Sequence, residues 1–233
     1  MAMYGQNAMS HNYLFALYCM ALWFTIQWHE TFRMKFIIYL GIVCGLAVLS
    51  RPTEIVILAI PVFWNVFSWN SFKEKFNILR KHYGQIFLFG AIVFSIGFLQ
   101  LIYWKIHTGH FLYYSYSANP GEGLELFSPY ISQFLFSFRK GWIIYTPIML
   151  FAFAGFYFMY KNNRKIFLSV LAYTLFNLYL ISSWSTWWYA QSFSQRPMVP
   201  ALAVLVIPLG YFIQWLLQQK IFTRTILSVV IAF

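Results

Sequence analysis

Long apolar runs separated by short polar or basic segments make up most of this sequence. Eight runs can be delimited, at residues 13–28, 36–49, 55–67, 86–104, 142–160, 166–182, 198–217 and 226–233. A helix needs about 20 residues to cross the hydrocarbon core of a bilayer. Lipid offers no partners to backbone N–H and C=O groups, so spanning segments must be helical. The sequence therefore predicts an all-α, polytopic membrane helix bundle of about eight transmembrane segments, the last of them cut short.

The composition supports a membrane environment over an aqueous one. Charged residues make up 9% of the chain and hydrophobic residues 61%, whereas soluble domains carry about 25% charged residues. A soluble fold of this size could not keep that much apolar surface away from water. We predict one transmembrane domain over residues 1–233. We also expect it to be part of a longer protein, since the chain starts without a signal peptide and stops within an apolar run.

The basic residues indicate an orientation. The net charge is +11, but the cations sit in short clusters between apolar runs, which is typical of loop anchoring and argues against nucleic-acid binding. Most of them fall in one set of alternate loops, which we assign to the cytoplasm. The N-terminal segment and loops 105–141 and 183–197 are then external. The external cations are Arg51, Lys105, Arg139, Lys140 and Arg196.

A basic segment at residues 70–85 lies on the predicted cytoplasmic side. It holds Lys73, Glu74, Lys75, Arg80 and Lys81. Two interpretations are open, an amphipathic helix on the membrane surface and a plain topological anchor.

The two external loops are rich in aromatic residues mixed with polar ones. Loop 105–141 is longer than a connection requires, and long loops are often functional. Aromatic rings can form a belt at the membrane interface. Alternatively, they stack on sugar rings while Ser, Thr and Gln bind hydroxyl groups. The candidates for a sugar or acceptor cavity are Tyr113, Tyr114, Trp187, Trp188, Tyr189 and Gln195.

Four external cations are candidates for binding the phosphate of a lipid carrier. These are Arg51, Arg139, Lys140 and Arg196. The planar guanidinium group donates two parallel hydrogen bonds to phosphate, and a cation also stabilises the charge that grows on a departing phosphate. The alternative is contact with lipid headgroups or structural pairing.

Acidic residues are few, and the chain has no Asp. Glu122 and Glu125 are the candidates for a general base that deprotonates an acceptor hydroxyl, although residues 120–123 also read as a simple turn. Glu54, three residues after Arg51, is expected to be its structural partner.

His107 and His110 are spaced i, i+3 in loop 105–141. With Glu122 or Glu125 they could bind a divalent metal ion. Histidine is also common at interfaces, and no strict metal motif is present, so a metal cofactor stays open.

Four segments resemble a known family. They are 8–15 (AMSHNYLF), 45–53 (GLAVLSRPT), 138–147 (FRKGWIIYTP) and 187–196 (WWYAQSFSQR). Together they are similar to bacterial multi-pass glycosyltransferases of the GT-C superfamily. Within it they most resemble family 39, the branch of protein mannosyltransferases and of the aminoarabinose transferases of lipid A. The resemblance extends over most of the chain.

The resemblance implies a function. It implies transfer of a sugar from a polyprenyl-phosphate carrier to an acceptor on the external face of the bacterial cytoplasmic membrane. The phosphate-contacting role of the family's basic residues carries over to Arg51 and, more loosely, to Arg196. The family's catalytic acid lies in an external loop that this sequence lacks, so the base carries over to no residue here and we expect the segment alone to be inactive. A transporter or flippase and a non-catalytic membrane scaffold are the alternatives.

Overall fold

Helices form most of the part of the chain that the structure describes. The computed structural model describes residues 10–113, 121–189 and 193–219. Within these ranges the chain has no β-strand, and the predicted all-α class is confirmed. The α-helices are α1 Ser10–Thr31, α2 Met34–Ser50, α3 Ala59–Phe63, α4 Trp69–Lys81, α5 Tyr83–Thr108, α6 Ile131–Phe136, α7 Trp142–Tyr145, α8 Ile148–Asn162, α9 Arg164–Ser182 and α10 Val199–Leu217. The 3₁₀ helices are Pro52–Leu58 and Arg196–Met198.

Three of the predicted apolar runs form helices with the length and composition of a membrane span. Among the described residues these are Tyr83–Thr108, Arg164–Ser182 and Arg196–Leu217. Helix α2 and the segment Pro52–Phe63 are apolar but shorter. The run at 226–233 lies outside the described residues. The count of eight spans therefore stays a prediction.

Proline residues mark helix boundaries at two places, one between two predicted runs and one within a predicted run. Arg51 precedes Pro52 and is extended, with φ −154° and ψ 124°, the conformation that a following proline favours. Helix α2 therefore ends at Ser50, and Pro52 occupies the first turn of the next helix, where its missing N–H costs no hydrogen bond. The run at 142–160, expected to be one helix, is two: α7 ends at Tyr145, and α8 begins after Pro147.

Glycine residues allow two helix pairs to pack closely. Gly41 and Gly45 of α2 face α5, where a Cβ atom on Gly45 would lie 2.9 Å from Ile96. Gly155 of α8 packs against the carbonyl oxygen of Pro208 in α10. The backbones of these helices therefore approach more closely than larger side chains would permit, a pattern common between membrane helices.

The bundle has two chemically distinct ends. The start of α1, the end of α2, the end of α9 and the start of α10 meet at one end, around Arg51 and Arg196. The end of α1 and the end of α3 meet α4 at the other, around Lys75. The 22 residues of α1 separate the two ends by about 33 Å of helix.

Candidate functional site

A cavity of about 380 Å³ opens at the Arg51 end of the bundle. That volume lies within the range of small-molecule sites, about 300–1,000 Å³. Its wall combines two arginines and two glutamates with aromatic and hydroxyl side chains. The lining residues used below are Arg51, Glu54, Glu122, Trp184, Tyr189 and Arg196. Four of them, Arg51, Glu122, Tyr189 and Arg196, are site residues predicted from the sequence.

The guanidinium group of Arg51 is oriented by the first turn of α1. Its Nε donates to Ser10 Oγ at 3.1 Å, and its Nη2 lies 3.0 Å from Nε2 of His11. Because arginine has no acceptor, His11 accepts this hydrogen bond and is neutral. Arg51 is the extended residue at which α2 ends before Pro52, so a local proline effect and contacts with the start of α1 together set its position.

Glu54 is buried beside the cavity, 7% exposed. Its Oε2 accepts a hydrogen bond of 2.7 Å from the hydroxyl of Tyr18 in α1. Arg51, its predicted partner, acts on it through charge. The sequence thus identified one of two groups that stabilise this carboxylate. It gave no signal for Tyr18, which lies within an apolar run.

Glu122 reaches the cavity because residues 123–125 pair with residues 183–185. Leu124 and Trp184 form an isolated antiparallel bridge. The N–H of Glu125 donates to Ser183 O at 2.7 Å, and the N–H of Ser185 donates to Gly123 O at 2.9 Å. These backbone hydrogen bonds hold residues 121–125 across the end of α9, with Glu122 and Trp184 both in the wall.

A group of cations adjoins the cavity on the side of Arg196. The side chain of Gln195 is buried and its Nε2 donates to the carbonyl oxygen of Lys140 at 3.0 Å. Desolvation, with the positive charges of Arg196 and Arg139, lowers the pKa of the Lys140 ammonium group. The guanidinium of Arg139 lies over the ring of Trp188, 4.2 Å from its centre, in a cation–π contact. All four predicted cations are therefore placed at this end of the molecule.

Several predicted residues have other surroundings. Gln195, Trp187 and Trp188 are not among the residues that line the cavity. The two indoles lie edge to face, with ring centres 5.7 Å apart. The carboxylate of Glu125 accepts from Tyr130 OH at 2.8 Å, and Glu125 is not among the residues that line the cavity.

The residues predicted near the end of α5 lie apart from the cavity wall. Tyr113 is exposed, and the ring of His107 lies 4.4 Å from that of Tyr103 at an interplanar angle of 45°. His110 follows Gly109, whose positive φ of 77° ends α5. Tyr114 lies outside the described residues. No group of three or more His, Cys, Asp or Glu in the described part of the chain is placed to hold a metal ion.

Trp184 and Thr186 line the cavity but were not singled out from the sequence. Both belong to the polar and aromatic loop 183–197, for which a membrane-interface belt and a sugar-binding rim are both open from the sequence, so the composition identified the segment without the positions. Thr53 also lines the wall, and its place directly after Arg51-Pro52 was the signal available for it.

Comparison with models of protein families, with curated proteins and with solved structures found no match to this chain.

Proposed function

We propose that this chain is the membrane part of a GT-C-type glycosyltransferase that moves a sugar from a polyprenyl-phosphate carrier to an acceptor hydroxyl. The observation that carries the proposal is the convergence of Arg51, Arg196 and the carboxylate of Glu122 on one cavity with aromatic walls. The three residues come from separate parts of the sequence, so local chain geometry does not account for their meeting.

The two arginines suit the phosphate of the donor. In the transfer, the acceptor oxygen forms a bond to the anomeric carbon. The bond from that carbon to the phosphate oxygen breaks, and the phosphate leaves with the electron pair. Guanidinium groups beside the phosphate bind it in the ground state and stabilise it more strongly as its negative charge grows. Arg51 is held by Ser10 and His11, so its guanidinium group is in position before the substrate binds.

Among the described residues, Glu122 is the carboxylate that we assign as the base of this cavity. The assignment rests on its place in the wall and not on the family resemblance, which carries the base over to no residue of this sequence. The proton of the acceptor hydroxyl must be accepted as the new bond forms, and a carboxylate within reach of that hydroxyl contributes to the rate. Glu54 also lines the cavity but is hydrogen-bonded to Tyr18, which favours a positioning role. The rings of Trp184 and Tyr189 offer faces on which a sugar can stack.

The neighbouring cations extend this site toward the membrane surface. Lys140 and Arg139 adjoin Arg196, and Arg139 is stacked on Trp188. We assign them to the entry of the charged lipid headgroup. The wider proposal is a bundle of about eight spans in the bacterial cytoplasmic membrane with this end outside, supported by the three long apolar helices and by the distribution of basic residues.

Binding of polyprenyl phosphate to the complete protein in nanodiscs tests this proposal. We expect saturable binding that weakens at least about tenfold, or ~1.4 kcal/mol, in Arg51→Ala and Arg196→Ala. Arg33→Ala is the matched control, because Arg33 is an exposed cation at the start of α2, away from the cavity. Equal binding by all four proteins would contradict the phosphate site. Uptake of the lipid-linked sugar by proteoliposomes without transfer would favour a transporter instead.

A further inference from the structure

Helix α4 presents an exposed face of aromatic and basic side chains at the end of the bundle opposite the cavity. Trp69, Lys73, Phe76 and Arg80 follow one another at four- and three-residue spacing, which places them on one side of a helix. All four are exposed, Trp69 by 70% and Phe76 by 61%. Phe72 is stacked on Trp69 with ring centres 5.4 Å apart. The face thus alternates flat apolar rings with cations.

The opposite side of α4 is fixed to the bundle. Lys75 is only 5% exposed. Its Nζ donates to the carbonyl oxygens of Pro61 at 3.0 Å and Trp64 at 3.1 Å, and it also contacts Nε2 of His29. The helix begins in a capping box formed by Ser68 and Ser71. These contacts prevent the helix from rotating its aromatic residues inward.

The position of α4 in the chain brings this face to a membrane boundary. The helix ends at Lys81, and α5 begins at Tyr83. Helix α5 has 26 residues and contains the most apolar segment of the candidate spans. Only His82 separates the two helices. Helix α4 must therefore lie at the same membrane depth as the start of α5.

The charges of this face favour a lipid headgroup layer as its neighbour. Lys73 and Arg80 lie among the rings, while Glu74, the acidic residue of α4, lies about 140° around the helix from Trp69. A cationic and aromatic helix face fits the headgroup layer of a bilayer, where rings sit at the acyl boundary and long basic side chains reach lipid phosphates. Each basic residue near an anionic membrane surface adds to the attraction.

We infer that α4 is a membrane-surface helix that docks Trp69, Phe72 and Phe76 into a leaflet containing anionic phospholipid, with Lys73 and Arg80 on the lipid phosphates. The inference requires that α5 spans a membrane. It does not depend on sugar transfer, since the Arg51 cavity lies at the far end of α1.

Spin labels on the complete protein in vesicles test this inference. Labels are introduced by Phe76→Cys and, as the control, Glu74→Cys, in a background of Cys19→Ala and Cys44→Ala. We expect the ratio of collisions with oxygen to collisions with an aqueous nickel complex to be several-fold higher at position 76 than at 74. The ratio at 76 should rise when phosphatidylglycerol is added to phosphatidylcholine vesicles, and Lys73→Gln with Arg80→Gln should remove that rise.

Three results would overturn the docking. One is a label at position 76 that meets the nickel complex as often as the label at 74 in both kinds of vesicle. A second is dipolar broadening between labels at position 76, which would assign the face to a second copy of the chain. A third is a label at 76 that is immobilised and reached by neither reagent whatever the lipid charge, which would assign the face to a protein partner.

Discussion

Arg51 and His11, 40 positions apart in the sequence, are joined by a hydrogen bond of 3.0 Å between the guanidinium Nη2 and the imidazole Nε2. The bond connects the end of α2 to the start of α1 at the edge of the cavity. Because His11 accepts this bond, its imidazole is neutral, and the positive charge at this point is that of Arg51. The orientation of the guanidinium is therefore built into the helix packing, and substitution of Arg51 tests the site directly.

Arg51→Ala is expected to lower the rate of sugar transfer from polyprenyl-phosphate-linked donors more than tenfold, which is about 1.4 kcal/mol of transition-state stabilisation. Arg51→Lys should recover only part of the rate, because an ammonium group cannot donate two parallel hydrogen bonds to one phosphate. The measurement is the initial rate with the complete protein in nanodiscs. Arg33→Ala should keep the parent rate. A well-folded Arg51→Ala protein with near-normal turnover would remove Arg51 from the site.

Glu122→Gln is expected to lower turnover far more than Glu125→Gln does. Loss of a general base typically costs about 10²–10⁴-fold in rate, and only Glu122 of this pair lines the cavity. Glu125 is a close control because it lies three residues away in the same loop and accepts from Tyr130 OH. The two variants are compared by single-turnover rate at saturating donor. Equal effects of the two substitutions would show that Glu122 has no special role in the chemistry.

The sequence predicted the side of the bundle on which the site lies better than the contacts within it. Alternation of apolar runs and basic loops placed Arg51, Glu122 and Arg196 at one face, and the structure brings them into one cavity. Side-chain contacts between residues far apart in the sequence could not be predicted. Tyr18 donates to Glu54 from 36 positions away, and nothing in an apolar run distinguishes the tyrosine that does so. Likewise, Gln195 was assigned to the cavity by composition, whereas its side chain supports Lys140.

Gly155→Ala is expected to destabilise the bundle, because a Cβ atom at this position would overlap the carbonyl oxygen of Pro208. Helices α8 and α10 would have to separate, and overpacking of this kind costs about 1–3 kcal/mol. Gly90→Ala is the control, since a Cβ atom there has no neighbour within 4 Å and alanine is the better helix former. The test is the midpoint of thermal unfolding in detergent. A midpoint for Gly155→Ala at or above that of Gly90→Ala would contradict the close packing.

Lys75→Met is expected to lower the free energy of unfolding by about 1–3 kcal/mol, because the carbonyl oxygens of Pro61 and Trp64 would lose a buried donor. Methionine is of similar length and leaves no large void. Lys73→Met is the control, as Lys73 is exposed on the same helix. Thermal unfolding of both variants in detergent measures the difference. If Lys73→Met loses as much stability as Lys75→Met, the anchoring of α4 by Lys75 is wrong.

The stability difference between the parent protein and Lys75→Met should also depend on pH. Burial lowers the pKa of Lys75 from 10.5 to about 8. Between these pH values the unfolded chain binds more protons at this position than the folded chain does, so the stability of the parent protein rises with pH in that window. The variant lacks this contribution, and other groups cancel in the comparison. The gap in unfolding midpoint should therefore widen as the pH rises above about 8. A gap that stays constant or narrows over this range would mean that Lys75 keeps an ordinary pKa and is not held in a desolvated contact.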